Sequence, residues 1–469
     1  MSRLFVISNR VADLTRSTQS GGLAVALADS LKTRGGVWMG WDGETVETGA
    51  DLSETSAEIG SVTAVTMPMT VDDYRQYYIG FSNSVLWPLF HYRLDLVRYE
   101  TAHLKGYRRV NRRFAEVAAR RLRDDDIVWI HDYHLIPLAR ELRRLGCRQR
   151  MGFFLHIPFP PPEVLAAAPE HRWLAESMFE FDLVGFQTQT DLGNFNRYAE
   201  EHVGIRVHPD GTFRFRGHTT RAAAFPIGID ADAFAEMAAT PSDEVQIDAM
   251  RRAVLQRRQI IGVDRLDYSK GLPDRMKAFA RLLERHDEHM KKVTFLQVAP
   301  PTREDVDAYA DIRMELESLS GSINGRFADF NWTPIRYIHR SVDRQKLAAL
   351  YRASRVGFVT PLRDGMNLVA KEFVAAQDPD DPGVLVLSKF AGAAEEMTEA
   401  LIVNPYDIDD MADTLHIALT MPVADRQERH RALFDKVRRR NAVAWQRDFL
   451  ATLDSMNTGS DPAATADAA

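Results

Sequence analysis

The sequence predicts an α/β fold of two doubly wound domains, each built on a parallel sheet with helices on both faces. Short apolar runs alternate with helical patterns along most of the 469 residues. Most of these runs are continuous rather than alternating in polarity, as is typical of strands buried on both faces. About a dozen runs are too many for one sheet, because single cores stop growing near about 250–300 residues. Two domains therefore fit the chain better than one.

The predicted elements follow one another as repeated strand–helix units, the order that produces parallel sheets. In chain order, the strands cover residues 4–8, 37–41, 127–131, 152–156, 183–187, 223–227, 260–263, 293–298, 335–338, 356–360, 384–388 and 401–403. Helical spacing of apolar residues marks residues 192–203, 273–285, 304–318, 344–352 and 367–377.

The boundary between the two domains is predicted near residue 228. A polar, irregular stretch at 237–244 comes after that point, and a new strand starts at Ile260. We expect an N-terminal domain over residues 1–228, a C-terminal domain over 229–440, and a helix at 441–456 that packs back on the body. Residues 457–469 are small and polar and are expected to be disordered.

The composition argues against several classes of protein. Lys and Arg number 59 against 66 Asp and Glu, and the net charge of −7 argues against a nucleic-acid-binding protein. A single cysteine, Cys147, rules out an internal disulfide and removes cysteine-rich metal sites. No apolar run approaches the ~18 residues that a membrane span needs, and the first residues lack the pattern of a signal peptide. We therefore expect a soluble, cytoplasmic protein.

Three common catalytic signatures are absent. The sequence has no G-x-S-x-G elbow, no G-x-x-x-x-G-K-[ST] loop and no G-x-G-x-x-G, which weakens serine-hydrolase, P-loop and NAD-dehydrogenase interpretations. Asp230 and Asp232 have the Asp-x-Asp form of some metal-dependent sugar transferases, although helix capping explains them more simply. His131, His134 and His156 could bind zinc in a metal hydrolase. Without H-E-x-x-H spacing, structural or hydrogen-bonding histidines are favoured.

Polar residues follow several predicted strands, at the carboxyl ends where open α/β sheets bind ligands. Arg10 follows the first strand, and Gly21 and Gly22 open a helix whose amides could approach an anion. Asp132 follows the strand at 127–131, and His156 leads into a proline-rich loop that would hold it rigidly. Taken alone, the two glycines are equally consistent with a surface turn.

Two segments of the C-terminal half suit a nucleotide diphosphate. In the first, Arg265 and Lys270 follow a strand and offer a planar fork and a point charge. The alternative is an internal ion pair of Arg265 with Asp264 or Asp267.

In the second segment, a helix starting at about Asn367 offers its amides and positive end to phosphate oxygens. Asp364 could accept hydrogen bonds from sugar hydroxyls, and Glu372 could accept two ribose hydroxyls. The alternative is a helix cap with Glu372 on a solvated face.

Further residues could serve a phosphorylated sugar. Arg303 is another cation at the end of a strand. The aromatic faces of Trp41, Tyr78 and Trp87 suit sugar rings, although such side chains more often pack in the core.

Five longer segments carry a resemblance that covers nearly the whole chain. They are residues 86–88 (LWP), 129–134 (WIHDYH), 152–160 (GFFLHIPFP), 265–271 (RLDYSKG) and 364–372 (DGMNLVAKE). In this order they resemble signatures of the trehalose-6-phosphate synthases, retaining glucosyltransferases of the GT-B fold. The resemblance implies two Rossmann-like domains facing across a cleft. It also implies transfer of glucose from UDP-glucose to glucose 6-phosphate, giving trehalose 6-phosphate and UDP.

The resemblance implies roles for single residues. The catalytic groups would be Arg265, Lys270, Asp364 and His156, the last two holding the donor glucose. The other donor-binding positions would be Gly21, Gly22, Val342, Leu368, Val369, Ala370, Lys371 and Glu372. The acceptor would meet Arg10, Trp41, Tyr78, Trp87, Asp132 and Arg303. No metal or other cofactor is implied. The expected partners are the two substrates, without nucleic acid or membrane, and a second copy of the chain in a dimer or tetramer.

One position departs from the family pattern. At Val342, the members carry an aromatic residue against the nucleotide base, and valine offers less stacking surface. GDP-glucose or ADP-glucose therefore stays open as donor, as does a sister transferase with another phosphorylated acceptor such as glycerol 3-phosphate. A phosphosugar-binding protein without catalysis is a further alternative, which the presence of Arg265, Lys270, Asp364 and Glu372 opposes.

Overall fold

The computed structural model describes residues 2–11, 31, 35–240, 257–302 and 307–456. The chain divides into two compact units, one formed by Met1–Pro226 with Val443–Ala469 and the other by Ile227–Ala442. Gly21, Gly22 and Arg303 lie outside the described residues, as does the segment 457–469. Their roles stay predictions.

The first unit is built on a nine-stranded sheet with the order β3-β4-β2-β1-β5-β6-β7-β9-β8. Its strands are β1 (Leu4–Arg10), β2 (Gly36–Val46), β3 (Thr55–Ile59), β4 (Val62–Thr70), β5 (Ile127–His131), β6 (Arg150–Phe154), β7 (Leu183–Phe186), β8 (Thr212–Phe215) and β9 (His218–Ala224). All neighbours are parallel except the edge pairs β3–β4 and β8–β9. The sequence did not predict β3, β4 and β8, and the strand predicted at 223–227 overlaps only the last two residues of β9. No residue of β3 is buried, so it has no apolar run.

Helices connect the strands of the first unit. They are α1 (Val71–Asp73), α2 (Trp87–Phe90), α3 (Thr101–Ala119), α4 (Leu138–Arg144), α5 (Pro162–Leu165), α6 (His171–Met178) and α7 (Gln189–Tyr198), with 3₁₀ turns at Leu94–Leu96 and Tyr133–Leu135. Two π-helical segments, Tyr74–Leu86 and Ala199–Val203, continue α1 and α7. π-helical turns often occur at functional sites, and the first one carries Tyr78.

The second unit is built on a six-stranded sheet in which all neighbours are parallel, with the order β12-β11-β10-β13-β14-β15. Its strands are β10 (Arg258–Val263), β11 (Val293–Val298), β12 (Ile335–Ile338), β13 (Val356–Val359), β14 (Val384–Ser388) and β15 (Leu401–Val403). Counted within the unit, this is the 3-2-1-4-5-6 order of dinucleotide-binding sheets. The two parallel-sheet units confirm the predicted fold class.

The helices of the second unit are α8 (Ala231–Ala239), α9 (Leu272–Arg285), α10 (Asp307–Phe327), α11 (Arg344–Arg352), α12 (Leu368–Ala376), α13 (Ile408–Thr420) and α14 (Val423–Arg439). Three 3₁₀ turns occur at Tyr268–Lys270, Asp287–His289 and Gly392–Glu395. In α9, residues spaced three and four apart are buried, among them Leu272, Met276, Phe279 and Leu283. This apolar stripe holds the helix against the sheet.

The last helix, α15 (Ala442–Ser455), packs on the sheet of the first unit. The Phe449 ring lies against Gly152 of β6, where a Cβ would approach it to 2.7 Å. The Trp445 ring meets Phe154 edge-on, with centroids 5.0 Å apart. The chain thus returns to its first unit after completing the second. Among the described helices, none is long and apolar enough to cross a membrane.

Candidate active site

The first unit brings polar strand ends together where its strand order reverses. β1 lies between β2 and β5, so the chain leaves β1 toward one side and later continues on the other. Such a reversal opens a crevice at the carboxyl ends of the central strands. Arg10 ends β1, Asp132 directly follows β5, and His156 comes shortly after β6. Three residues singled out from the sequence therefore lie along one edge of this sheet.

Arg10 lies beside a group of aromatic rings. Its Cζ is 5.7 Å from the Trp41 ring centroid. Gly43 provides the space, because a Cβ there would lie 2.3 Å from Nη2 of Arg10, and its φ of +97° also favours glycine. Trp41 contacts Tyr78 with centroids 5.8 Å apart, and Tyr78 stacks on His134. This combination of a cation and aromatic faces suits a phosphorylated sugar.

Trp87 is deeply buried, with only 4% of its surface exposed. Its ring packs on His91 and Tyr133, with centroids 4.2 Å and 5.7 Å apart. The Tyr133 hydroxyl donates to Oδ1 of Asn83, whose Nδ2 donates to the carbonyl of Tyr78. Trp87 therefore belongs to a packed network behind Tyr78, and its place in an acceptor pocket stays a prediction.

His156 is held by hydrogen bonds on both ring nitrogens. Its Nε2 lies 3.1 Å from Nδ1 of His131, and its Nδ1 lies 3.5 Å from Nε2 of Gln187. His131 and Gln187 therefore hold the ring of His156 from its two nitrogens. The main-chain NH of His156 donates to Oδ1 of Asp132 at 3.3 Å. Burial lowers the pKa of His156 to about 3, and burial beside His156 lowers the pKa of His131 well below 6.5.

We expect this histidine pair to make the protein sensitive to acid. Because both pKa values lie below 6.5, the unfolded chain binds protons that the folded chain does not, and stability is lost as the pH falls below about 6.5. The substitution H131Q should flatten this loss between about pH 6.5 and pH 4. The pH dependence of stability is measured from urea unfolding midpoints across that range. The control is H208Q, which replaces an exposed histidine. Parallel curves for the wild type and H131Q would contradict the assignment.

The second unit has its own crevice between β10 and β13, where its strand order reverses. Arg275 of α9 is fully buried beneath it. Its Nη2 donates to Oδ2 of Asp264 at 2.8 Å, and its Nε donates to the Thr360 hydroxyl at 3.1 Å. The ion pair ties the end of β10 to α9, and the hydrogen bond to Thr360 ties the end of β13 to it. Asp264 is thus paired with Arg275.

Lys270 and Asp364 meet at this crevice. The Lys270 ammonium lies 2.5 Å from Oδ2 of Asp364, and both side chains are largely buried. Nδ2 of Asn367 donates to the same carboxylate oxygen at 3.0 Å. The structure therefore brings together the cation and the carboxylate that sequence analysis placed about one hundred residues apart. Arg265, by contrast, is exposed to solvent.

The amino end of α12 faces the same crevice. Its cap, Asn367, has a φ of +76° and accepts a hydrogen bond from the Ala370 amide. The amides of Leu368 and Val369 are in the first turn and have no acceptor within the helix. Such an end is a ready site for phosphate oxygens, because the amides and the helix dipole both favour negative charge. The helix starts one residue after the predicted start at Asn367.

Glu372 lies one turn further along α12. Burial raises the pKa of its carboxyl to about 7, against a smaller opposing effect of Arg344. Glu372 is only partly exposed, so its carboxyl does not lie on a fully solvated face. Val342 is half-buried just before α11, which Asp343 caps.

The side chain of Lys371 has a structural role. It is 1% exposed, and its Nζ donates to the Ile227 carbonyl at 2.7 Å and to Glu396 at 3.1 Å. Burial lowers the pKa of this ammonium. Any contribution of Lys371 or Ala370 to donor binding through the main chain stays a prediction.

Asn367, Arg275 and Gln187 were not predicted as site residues from the sequence. A signal for Arg275 was present, because it interrupts the apolar face of α9 beside Leu272 and Met276. A cation on a core face needs a buried partner. Gln187 gave no comparable signal, because only the packing of β7 beside β6 brings it to His156.

Neither of the metal interpretations weighed above matches the geometry. His131, His134 and His156 do not form a three-ligand group among the described residues. Asp230 caps α8, because its Oδ1 accepts a hydrogen bond from the Ala233 amide at 3.0 Å. This contact agrees with the helix-capping interpretation of Asp230.

A 3-2-1-4-5-6 sheet with a lysine, a carboxylate and a capped helix start at its switch point defines a nucleotide-binding α/β protein. The chain belongs to glycosyltransferase family 20, whose model matches residues 6–455.

Relatives match almost the full length of the chain. A trehalose-6-phosphate synthase from Citrobacter koseri is 46% identical over 453 residues, which is 97% of this chain and 95% of the relative. A crystal structure of an α,α-trehalose-phosphate synthase (UDP-forming) from Burkholderia xenovorans, in complex with glucose 6-phosphate, is 51% identical with a TM-score of 0.93 and covers 97% of this chain and 100% of that one. A structure from E. coli bound with UDP-2-fluoro glucose is 44% identical, with a TM-score of 0.93 and the same coverage.

Proposed function

We propose that this protein is a retaining glucosyltransferase that moves glucose from UDP-glucose to glucose 6-phosphate. The products are α,α-trehalose 6-phosphate and UDP. Membership of glycosyltransferase family 20 carries the proposal. Relatives that bind glucose 6-phosphate and UDP-2-fluoro glucose, respectively, support the two substrates.

The second unit supplies the donor groups. Lys270 and Arg265 neutralise the diphosphate, and the first amides of α12 hold its oxygens. Asp364 accepts hydrogen bonds from hydroxyls of the donor glucose, and Glu372 accepts them from the ribose hydroxyls. The Lys270–Asp364 pair supports this assignment, because it fixes a cation next to a sugar-binding carboxylate before any ligand arrives. Val342 lies against the base.

The first unit supplies the acceptor groups. Arg10 and Tyr78 bind the phosphate of glucose 6-phosphate. Asp132 accepts hydrogen bonds from the hydroxyls of the sugar ring. The contact of Arg10 with Trp41 supports this assignment, because it places the cation beside an aromatic face. Trp41 and Trp87 line the acceptor pocket. His156 contacts the donor glucose and is oriented by His131 and Gln187.

The mechanism follows from where charge develops. As the bond between the anomeric carbon and the UDP oxygen breaks, negative charge grows on the diphosphate and positive charge on the sugar ring. Lys270, Arg265 and the α12 amides stabilise the leaving diphosphate, the kind of preorganised electrostatic effect that is usually the largest catalytic contribution. The leaving phosphate oxygen takes the proton of the attacking hydroxyl on the same face, so the configuration at the anomeric carbon is retained. This mechanism requires no protein base, and burial lowers the pKa of His156 to about 3, which makes that side chain a poor proton acceptor.

The proposal is tested by supplying purified protein with glucose 6-phosphate and, separately, UDP-, GDP- and ADP-glucose. We expect release of UDP and formation of α,α-trehalose 6-phosphate, identified by NMR. Because Val342 offers little stacking surface, we also expect measurable but slower turnover of the other two donors. Replacing the acceptor by glycerol 3-phosphate tests the sister-transferase alternative. Release of no nucleotide with any donor would overturn the proposal.

The substitution R10A should raise KM for glucose 6-phosphate by about tenfold or more, because a hydrogen bond to a charged group contributes about 1.5–3 kcal/mol. KM for UDP-glucose should stay near the wild-type value. The control is R120A, which removes an exposed arginine paired with Glu54 in the same unit. Equal weakening of both substrates by R10A would contradict its assignment. The same split is expected for R303A.

A further inference from the structure

A histidine cluster lies at the edge of the second sheet opposite the candidate active site. α9 is followed by the 3₁₀ turn Asp287–His289 and then by β11, so this turn lies at the amino ends of the strands. α13 reaches the same edge and carries His416 in its last turns. One ligand atom from each of His286, Glu288 and His416 lies within 4.8 Å of the others. In the part of the chain that the structure describes, no other such group of three is found.

Two further side chains surround this group. Oδ1 of Asp413 lies 3.1 Å from Nε2 of His286, and Nε2 of His289 lies 3.0 Å from Nδ1 of His416. Glu288 lies 3.4 Å from the same nitrogen of His416. Imidazoles and carboxylates form the donor set that Zn²⁺ takes in proteins. A carboxylate behind a ligating histidine fixes its tautomer and raises its basicity.

The cluster is accessible from solvent. The side chains of His286 and His416 are 22% and 29% exposed, and that of Glu288 is 53% exposed. The two rings now stack with centroids 4.0 Å apart and planes 9° apart. A shared ion requires them to tilt, because an imidazole binds a metal in the plane of its ring. Partial exposure leaves room for that rotation.

We propose that His286, Glu288 and His416 bind one divalent transition-metal ion of the zinc class, with Asp413 as the hydrogen-bonding partner of His286. At Nδ1 of His416 the ion takes the place of the hydrogen bond with His289, because Glu288 lies beside that same nitrogen. The ion links the turn before β11 to α13, two segments that are far apart in sequence. It takes no part in glucosyl transfer, because the donor-binding residues lie at the opposite ends of the strands. The site is independent of the function proposed above.

The test uses the full-length protein freed of metal with a chelator. Zn²⁺ is titrated against a chromophoric competitor, and Tm is measured with and without Zn²⁺. We expect one ion per chain and a higher Tm in its presence. The double variant H286Q/H416Q should lose this binding, and E288Q should weaken it by at least about tenfold. Co²⁺ in place of Zn²⁺ should give the visible absorption of a nitrogen- and oxygen-ligated ion.

The control is H208Q, which removes an exposed histidine of the first unit and should leave binding unchanged. Circular dichroism of the metal-free variants shows that they remain folded, so that lost binding is not lost structure. If the wild type binds no Zn²⁺, or if H286Q/H416Q binds it as tightly as the wild type, the proposal is overturned.

Discussion

The substitution K270A should lower kcat at saturating UDP-glucose by about 10²–10³-fold. This is the effect of removing one preorganised group that stabilises transition-state charge, about 2.7–4 kcal/mol. Lys270 is the cation that the structure holds at the switch point of the second sheet, 2.5 Å from Asp364 and almost fully buried. Its contribution grows as the diphosphate leaves, so the loss should appear in kcat more than in KM. Steady-state kinetics with both substrates varied measure it.

The matched control is K277A, which removes a lysine from the exposed face of α9, where it pairs with Asp274 and Glu315. Exposed ion pairs contribute little, so its activity and stability should stay near the wild type. A K270A rate near the wild-type rate would show that other groups stabilise the leaving diphosphate.

A double-mutant cycle separates two roles of Lys270. If the lysine acts only by holding Asp364, the variants K270A, D364N and K270A/D364N should be equally slow. If it also neutralises the diphosphate, the double variant should be slower than either single variant. We expect the second result, because one ammonium carries three donors and Asp364 takes one of them.

The substitution E372Q should weaken donor binding and stabilise the free protein. A carboxylate that accepts ribose hydroxyls contributes about 1.5–3 kcal/mol, so KM for UDP-glucose should rise about tenfold or more. Burial raises the pKa of Glu372 from 4.5 to about 7, so the folded chain keeps a proton that the unfolded chain has lost. The free energy of unfolding therefore falls as the pH rises from 4.5 to 7. Above pH 7 the loss is up to about 3 kcal/mol. E372Q should be more stable than the wild type at pH 8 and equal to it at pH 4.

Two measurements check this prediction. Urea unfolding at the two pH values gives the stability difference, with E428Q, at an exposed glutamate of α14, as the control. The wild-type KM for UDP-glucose should fall as the pH rises through about 7, where the carboxyl ionises, and the E372Q value should stay flat. If E372Q is no more stable than the wild type at pH 8, burial does not raise the pKa of Glu372, and the prediction is wrong.

The architecture of both units could be predicted because its signals are local. Buried parallel strands are continuous apolar runs. Asp343 caps α11 and Asn367 caps α12, so the start of each helix can be predicted from neighbouring residues alone. The strands that were missed lack a continuous run: threonines and Pro68 interrupt the apolar residues of β4. β3 is polar and exposed, and it is a strand because it pairs with β4. Pairing between strands is a long-range property that a short sequence window does not contain.

The sequence by itself determined the residue types of the candidate site and their positions at strand ends, because chain order in a parallel sheet sends all carboxyl ends to one edge. Only the tertiary structure decided which of those residues meet. It placed Lys270 on Asp364, turned Lys371 toward Ile227 and Glu396, and bound His156 to His131. It also decided the pKa of Glu372, because that value depends on how much water the folded chain removes from around the carboxyl.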